Sequence, residues 1–407
     1  MTRTSANNKK VYISCNGCNR RLLDADRVRR YFLLNGWEMA DSPRKSDLNI
    51  FFASALNRVR IDESFDIIER LAQFPGETIV LGCIMEVAPT EFRQKWNGRA
   101  LAVKDMNEID SFFPEFRVKY RDVPPGHSPA GSGNIYQAIS PGVFLKQRLS
   151  LVLSPEKVRD KLYGYLHRGQ REDYRAAFIW VSTGCPNKCS FCAERRVVGQ
   201  LVSRPVSDIV SEYRKLLQQG RRNFEFIGDD VGSYGMDIHT TLPALIAELN
   251  RADEGYEVSW ALKHIHPKFI IKYRDELIEV ASSGKVKEII CCFQSGSNRL
   301  LELMKRQHTI EEVTGTLERF RQAVPGIQLA TNIIVGFPTE TDEEFDQTLR
   351  VFDRVYFDRV HMIKYYDAEG SDSRNIFPKI SDETIYRRIR LAKQFLKKRK
   401  IYFQTRD

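Results

Sequence analysis

Three cysteines, Cys185, Cys189 and Cys192, lie within eight residues of each other. Thiolates are the usual ligands of iron-sulfur clusters, and three of them can bind three irons of a 4Fe-4S cube. The fourth iron is then free to bind a small chelating ligand, while the cube supports redox chemistry. The spacing therefore predicts a 4Fe-4S cluster on these residues, with one open iron.

A structural zinc site and a disulfide are the alternatives. A zinc loop normally needs four nitrogen or sulfur ligands at paired spacings, and the nearest histidine downstream is His239. A disulfide is disfavoured because the chain starts with a short polar tail without a secretory core, and cytosolic thiols stay reduced. We therefore favour the cluster.

The CxxxCxxC spacing, with the aromatic Phe191 directly before the last cysteine, resembles the signature of radical S-adenosylmethionine (SAM) enzymes. The resemblance implies that SAM chelates the open iron through its amino and carboxylate groups. Reductive cleavage of SAM then gives a 5'-deoxyadenosyl radical, which abstracts hydrogen from an unactivated C-H bond. Phe191 is expected to shield the cluster and to contact the adenine, unless it only packs the loop.

The segments around the cysteines have the patterns of a strand and a helix. An apolar run at 176–181 precedes the loop, and apolar residues at helical spacing follow it from Ser207 to Gly220. Further strands are predicted at 223–227, 256–263, 288–293, 327–335 and 359–365, with helices at 242–250, 270–281, 309–323, 343–357 and 382–399. These six β/α units predict a partial (βα)6 radical SAM barrel, which holds its chemistry at the carboxyl ends of the strands.

The first part of the chain alternates shorter strands and helices. Strands are predicted at 11–13, 48–52 and 78–81, and helices at 24–34 and 61–73. The fold class is therefore α/β, with a small parallel α/β domain over 10–120. A turn-rich connector with a capping helix at 154–167 is expected over 121–170, and the barrel over 171–407.

Composition narrows the class of protein without identifying a partner. A hydrophobic fraction of 42% and a charged fraction of 29% are typical of globular proteins. No apolar run has the length of a membrane span, so we expect a cytoplasmic protein without membrane partners. The net charge of +10 permits RNA as a partner, but the basic residues are dispersed apart from a run at 397–400.

Beyond the cysteine loop, the chain resembles one radical SAM family, the methylthiotransferases, which modify tRNA adenosines or a ribosomal-protein aspartate. The matching stretches keep the family's order along the chain. They are Gly17-Cys18-Asn19 with residues 24–27, Leu81-Gly82-Cys83, Ser203-Arg204-Pro205, and residues 228–237, 294–297, 335–341 and 369–371. The resemblance implies a transferase that adds a methylthio group or sulfur to an unactivated C-H.

In this family the N-terminal domain carries a second 4Fe-4S cluster on three cysteines. Cys18 and Cys83 match two of these positions, whereas Ser54 stands in the loop where the third is expected. Cys15, three residues before Cys18, can complete a shifted triad. The alternative is a domain that has lost its cluster and kept its fold, and the sequence leaves both interpretations open.

The resemblance also assigns SAM contacts to residues at the strand ends. A carboxylate after the second strand can pair with the SAM ammonium, and an arginine near the first helix can hold its carboxylate. Residues after the fourth and fifth strands are expected to touch the methionine, the sugar and the adenine. The predicted contacts are Phe191, Arg204, Gly228, Asp229, Asp230, Gln294, Ser295, Asn332, Gly336 and Glu340.

Two departures from the family weaken the case for RNA. The sequence stops at Asp407, soon after the last predicted helix, where family members continue into a small β-barrel domain that helps to hold RNA. In addition, Asp229 stands where the family has Gln after the second strand, and Ala368 stands where it has Arg before Glu369. We therefore expect a small-molecule or peptide substrate, with RNA less favoured, and a reductant such as flavodoxin or ferredoxin. The alternatives are a radical SAM enzyme without sulfur transfer and a non-catalytic electron carrier, which would not need the SAM-contact stretches.

Overall fold

The structure is a computed structural model that describes residues 9–17, 19–55, 57–124, 136–137, 176–253 and 255–406. The chain divides into two compact units, Met1–Lys157 and Val158–Asp407. The capping helix predicted at 154–167 lies outside the described residues, so the domain limits near residues 120 and 170 stay predictions.

The first unit contains a parallel sheet with helices between its strands. Its elements are β1 (Lys10–Cys15), α1 (Asn19–Leu34), β2 (Glu38–Met39), β3 (Leu48–Ala53), α2 (Arg58–Leu71), β4 (Glu77–Gly82), α3 (Ile84–Val87), α4 (Pro89–Lys95), β5 (Ala100–Ala102) and β6 (Tyr136–Gln137). The strand order is β2-β1-β3-β4-β5, and β6 also pairs with β1. The central strand β3 is buried along its whole length, which explains its nearly continuous apolar sequence.

One face of this sheet is covered by α1 and by the segment that follows β5. Phe32 of α1 packs with Phe113 and Phe116 of that segment in one hydrophobic core. Arg27 fixes the end of the segment, because its guanidinium donates to the carbonyls of Tyr120 and Val123 at 3.1 and 2.8 Å. This packing leaves the carboxyl edge of the sheet to the loops after β1, β3 and β4.

The second unit contains a seven-stranded parallel sheet in the order β7-β10-β11-β12-β13-β14-β15, and a short antiparallel pair, β8 and β9. The strands are β7 (Ala177–Trp180), β8 (Ser182–Thr183), β9 (Val202–Ser203), β10 (Asn223–Ile227), β11 (Ser259–Ile265), β12 (Val286–Cys291), β13 (Gln328–Val335), β14 (Arg359–Lys364) and β15 (Tyr402–Arg406). The predicted α/β class and partial radical SAM barrel are confirmed.

The seventh strand of the sheet, β15, is absent from the sequence-based prediction. Lys400 adopts a left-handed conformation at φ 57°, and Ile401 N-H donates to the Leu396 carbonyl at 3.1 Å. These contacts turn the chain back after the last helix, so that Tyr402 pairs with Arg359 of β14. The turn depends on a long-range partner strand, which local periodicity does not reveal.

The first helix of this unit, α5 (Glu194–Val198), follows the cysteine loop. The others cover one face of the sheet and are α6 (Val206–Gln218), α7 (Leu242–Ala252), α8 (Pro267–Lys272), α9 (Arg274–Ser282), α10 (Asn298–Leu303), α11 (Ile310–Ala323), α12 (Asp342–Arg354) and α13 (Asp382–Lys398). The strand residues between the helix-facing positions point to the opposite face. There, buried Lys263 pairs with Glu225 at 3.3 Å and Glu288 at 2.5 Å. None of the helices in the described ranges is both long and apolar enough to cross a membrane.

Candidate active site

The cysteine loop starts with a glycine that the backbone geometry requires. Gly184 has φ 79°, and a Cβ built on it would lie 1.8 Å from the Gln200 carbonyl oxygen. Its N-H donates to the Asp229 carboxylate at 2.8 Å, and Cys185 N-H donates to the Gly199 carbonyl at 3.4 Å. The first thiol is therefore set by contacts on both sides of the chain.

Ser190 anchors the far end of the loop. Its N-H and hydroxyl donate to the carbonyls of Met304 and Leu303 at 3.1 and 2.7 Å, and its own carbonyl accepts from Ser373 N-H at 2.9 Å. Cys192 N-H donates to the Cys189 carbonyl at 3.2 Å, which closes a turn between these two cysteines. The loop after β7 is thereby tied to the loops that follow α10 and β14.

All three thiols are free and half-buried. Burial raises the pKa of Cys185 and of Cys192 to about 12, which disfavours a thiolate that has no cation or hydrogen-bond donor beside it. Asn187 Nδ2 is such a donor for Cys185 and lies 3.4 Å from its Sγ, while Arg306 Nη1 lies 3.1 Å from the remaining thiol, Cys189 Sγ. These surroundings fit thiolates that bind iron.

The thiols do not converge on one point. Among the described residues, no three His, Cys, Asp or Glu side chains approach closely enough to surround a single metal ion. A zinc ion needs such convergence, whereas in a 4Fe-4S cube each thiolate binds its own iron and the ligands stand further apart. Three free thiols on one loop are the donor set of the predicted 4Fe-4S cluster, whose binding here stays a prediction.

Asp230 is a buried carboxylate whose oxygens are both occupied by protein donors. One oxygen accepts from Asn187 Nδ2 at 2.5 Å, and the other from Gly232 N-H at 3.2 Å and His266 N-H at 3.0 Å. Burial raises its pKa. Asp230 thus orients Asn187 beside the first cysteine, and its contact with SAM stays a prediction.

Three more predicted SAM contacts have structural partners in the protein. Arg204 donates to the Trp180 carbonyl at 2.8 Å and pairs with Glu212 at 2.6 Å. Asp229 accepts from Gly184, as described above. Gly228 runs close to β8, since a Cβ there would lie 3.1 Å from the Ser182 hydroxyl. These contacts position the cysteine loop relative to the strands on either side of it.

Gln294 and Asn332 present polar atoms that have no partner in the described part of the chain. Gln294 has φ 72°, and its main chain bridges to β13 through Asn332 and Ile334 at 3.0 and 2.9 Å. The two side chains are 7% and 8% exposed, yet Gln294 Oε1 and Asn332 Oδ1 accept no hydrogen bond. A buried unpaired polar atom costs about 1–3 kcal/mol, so this pair fits a ligand with N-H or O-H donors, such as SAM.

Other predicted contacts are engaged in packing. The Ser295 hydroxyl accepts from Ser297 N-H at 3.2 Å, and Phe191 packs on a cluster of Leu300, Met304, Ile334 and Phe337. Gly336 has φ 86°, a left-handed conformation that favours glycine, and a Cβ built on it would lie 2.4 Å from the Ile385 side chain. Its approach to the adenine stays a prediction.

Glu340 follows β13 and is bound to its own loop. Its carboxylate accepts from Gly336 N-H and from Arg388, both at 2.8 Å, while Oε1 has no partner among the described residues. Burial raises its pKa to about 7, against the opposing effects of that amide and of Arg388. In the structure it fixes the loop after β13.

Sequence reasoning missed a basic group beside the cysteines. Besides its bond to Cys189, Arg306 donates to the Cys292 carbonyl at 2.6 Å. His308 is 9% exposed and neither ring nitrogen has a hydrogen-bond partner in the described ranges; burial lowers its pKa to about 3. His266 caps α8, because its Nδ1 accepts from Lys268 N-H at 3.3 Å.

A cavity of about 600 Å³ opens beside the first cysteine. Cys185 and Pro186 form part of its wall, and Lys188, Arg195 and Asp237 contribute charged groups. The cysteine loop is therefore accessible from this side.

In the first unit, the predicted cluster cysteines differ in exposure. Cys83 is half-buried at the end of β4, and its N-H donates to the Ala53 carbonyl at 2.9 Å. Cys15 is fully buried in the core, where its Sγ accepts from Gly17 N-H at 3.2 Å. Ser54 is bound by Asn16, whose Oδ1 accepts from Ser54 N-H at 2.9 Å. Cys18 lies outside the described residues.

Residues 179–352 match the sequence profile of the radical SAM superfamily, a stretch that runs from β7 into α12. The second unit therefore contains a radical SAM domain.

Relatives extend the likeness over most of the chain. It is 28% identical over 375 residues to a tRNA-2-methylthio-N(6)-dimethylallyladenosine synthase of Thermotoga petrophila, covering 89% of this chain and 75% of that protein. It is 26% identical over 396 residues to a ribosomal protein uS12 methylthiotransferase of Stenotrophomonas maltophilia, covering 94% and 78%. The predicted resemblance to the methylthiotransferase-like radical SAM family is confirmed.

Solved structures share the fold at low identity. The radical SAM methyltransferase TsrM from Kitasatospora setae superimposes with a TM-score of 0.58 at 14% identity, covering 87% of this chain and 74% of that chain. The cobalamin-dependent SAM radical enzyme OxsB gives a TM-score of 0.56 at 12% identity, covering 96% and 56%. These matches concern the fold alone.

Proposed function

We propose that this protein is a radical SAM enzyme that binds a 4Fe-4S cluster through Cys185, Cys189 and Cys192 and transfers a methylthio group or sulfur to an unactivated C-H bond. When bound and reduced, the cluster with SAM supplies a 5'-deoxyadenosyl radical that abstracts hydrogen. The observation that carries the proposal is the set of three free, half-buried thiols with N-H donors beside two of them.

The chain's own residues hold and shield the reactants. Gly184 and Ser190 fix the loop at both ends, and the unpaired oxygens of Gln294 and Asn332 are available to hydrogen-bond SAM. Phe191, directly before the last cysteine, packs on a buried apolar cluster, and such packing would keep bulk water from that side of the loop.

The proposed sulfur source is a second cluster in the first unit, with Cys18 and Cys83 as ligands and Cys15 as the third. Cys83 stands half-exposed at the carboxyl edge of the sheet, the position where open parallel sheets build sites. The burial of Cys15 favours the alternative in part, since its thiol has to leave the core to reach an iron. That alternative is a radical SAM enzyme without sulfur transfer, acting on a small molecule or peptide.

The names of the relatives suggest which acceptors to test first. A tRNA carrying dimethylallyladenosine and ribosomal protein uS12 are the acceptors named for two of them. We therefore propose that RNA and protein acceptors be tested as well as the small molecule or peptide that the sequence favours. A small acidic reductant of the flavodoxin or ferredoxin class is proposed as the electron donor.

Product stoichiometry separates the two functions. Methylthio transfer uses one SAM as methyl donor, which leaves S-adenosylhomocysteine, and a second SAM as radical source, which leaves 5'-deoxyadenosine. We expect both products from anaerobically reconstituted protein with reductant, SAM and acceptor, and loss of the first product in Cys83→Ala. 5'-Deoxyadenosine without S-adenosylhomocysteine, from protein with a full loop cluster, favours the alternative.

A further inference from the structure

Arg306 reaches the cysteine loop because of the way α10 ends. Met304 N-H donates to the Leu300 carbonyl at 2.8 Å, and Lys305 then adopts a left-handed conformation with φ 55°. Arg306 N-H donates back to the Leu301 carbonyl at 2.8 Å. A left-handed residue directly after a helix reverses the chain, so the arginine is directed toward the loop that the same helix end anchors through Ser190.

The guanidinium of Arg306 bridges two structural elements. Nη1 donates to Cys189 Sγ at 3.1 Å, and Nη2 donates to the Cys292 carbonyl just after β12 at 2.6 Å. A guanidinium is planar and permanently charged, so two such bonds fix both its position and its orientation. The corresponding donor at Cys185 is the neutral amide of Asn187, at 3.4 Å. Among the described residues, Arg306 is therefore the cationic hydrogen-bond donor to Cys189, one of the predicted cluster ligands.

The positive charge of Arg306 is not neutralised by an ion pair in the described ranges. Its Nε is buried without a partner among those residues. Buried Asp230 faces the same group but is hydrogen-bonded to Asn187, Gly232 and His266. Lys268 adds a second positive charge close enough to interact with the Cys185 and Cys189 thiols.

We infer that Arg306 is a positioning residue that raises the reduction potential of the loop cluster through its hydrogen bond to Cys189. The inference rests on the proposed function, because it assumes that this thiolate binds iron. Reduction adds one electron, and therefore one negative charge, to the cluster. A cation and an N-H donor at a ligand sulfur stabilise that added charge, since potentials of iron-sulfur clusters depend on net charge and on hydrogen bonds to sulfur.

The test is a redox titration of reconstituted protein, followed by the electron paramagnetic resonance signal of the reduced cluster and by iron content. Every protein in this test, including the one with Arg306 unmodified, carries Cys83→Ala to remove the proposed second cluster, so that both readouts report the loop cluster alone. Arg306→Gln removes the charge, and we expect about a tenfold lower ratio of reduced to oxidised cluster at a fixed poise, which is about 59 mV for one electron. Arg306→Lys keeps the charge but cannot make both bonds, so its potential should lie between those of Arg306→Gln and the unmodified protein.

Lys215→Gln is the control, because it removes an exposed positive charge from α6, outside the cysteine loop and α10. It should leave the potential unchanged. Equal potentials in Arg306→Gln and the unmodified protein overturn the inference, as does failure of both Arg306 variants to take up iron while folded, which indicates a purely structural role. An unmodified protein that binds no iron contradicts the proposed function itself.

Discussion

Replacing Asp230 by alanine should destabilise the second unit by about 3 kcal/mol. The carboxylate is 3% exposed and accepts hydrogen bonds from Asn187, Gly232 and His266. A buried donor that loses its partner costs about 1–3 kcal/mol. We take the low end for each of the three donors, because the alanine also removes the cost of burying a charge.

Asp230→Asn should lower the free energy of unfolding by only about 1 kcal/mol, the contribution of one hydrogen bond. The asparagine carbonyl still accepts from Gly232 and His266, and its amide can donate to Asn187 Oδ1, which has no partner among the described residues. For that bond the Asn187 amide must rotate, and its Nδ2 then leaves Cys185 Sγ. Asp230→Asn therefore separates stability from the hydrogen bond to the cysteine.

The assay combines urea unfolding with hydrogen exchange of peptides that contain the Gly232 and His266 amides. In Asp230→Ala these amides should lose protection, while in Asp230→Asn they should keep most of it. Asp346→Ala removes an exposed carboxylate from the same unit and is the control. Equal losses of stability in the alanine and asparagine variants, or a loss below about 1 kcal/mol in the alanine variant, refute the reasoning.

Three further predictions concern other parts of the molecule. Burial raises the pKa of Glu344, but its hydrogen bonds with Arg299, Thr341 and Ser297 outweigh burial and lower the pKa to about 2. The stabilisation that ionised Glu344 contributes is therefore full above pH 4.5 and is lost as the pH falls toward 2. In Glu344→Gln the free energy of unfolding should depend less steeply on pH in this range. Gly184→Ala should lower the iron content of the reconstituted protein by about four irons with an unchanged far-ultraviolet circular dichroism spectrum, because its Cβ would meet the Gln200 carbonyl. An iron content equal to that of the unmodified protein contradicts this. Protein without the three loop cysteines should still take up about four irons, and Cys83→Ala in that background should remove them; iron-free protein before that change makes the first unit a scaffold.

The sequence predicts the strands well because parallel, fully buried strands are continuous apolar runs. β10 begins and ends at the predicted residues, 223 and 227, and β3 and β13 differ from prediction by one residue. The cysteine loop is predictable for another reason, since the spacing of its ligands is local. Both features depend only on neighbouring residues.

Orientation and long-range contacts are what the sequence leaves out. Asp230 and Asn332 both lie at or near the carboxyl ends of strands, as predicted, but one carboxylate is enclosed by protein donors and the other residue's oxygen is unpaired. Arg306 lies 117 residues from Cys189. Its role depends on the left-handed turn at Lys305, and no spacing rule connects the two positions.

The most direct test of the central claim is SAM cleavage by protein without the loop thiols. We expect anaerobically reconstituted protein with dithionite and SAM to form 5'-deoxyadenosine, and Cys291→Ala, which changes a buried cysteine outside the loop, to do the same. The combined variant Cys185→Ala, Cys189→Ala and Cys192→Ala should form none. Undiminished 5'-deoxyadenosine from that variant contradicts the assignment of the cluster to this loop.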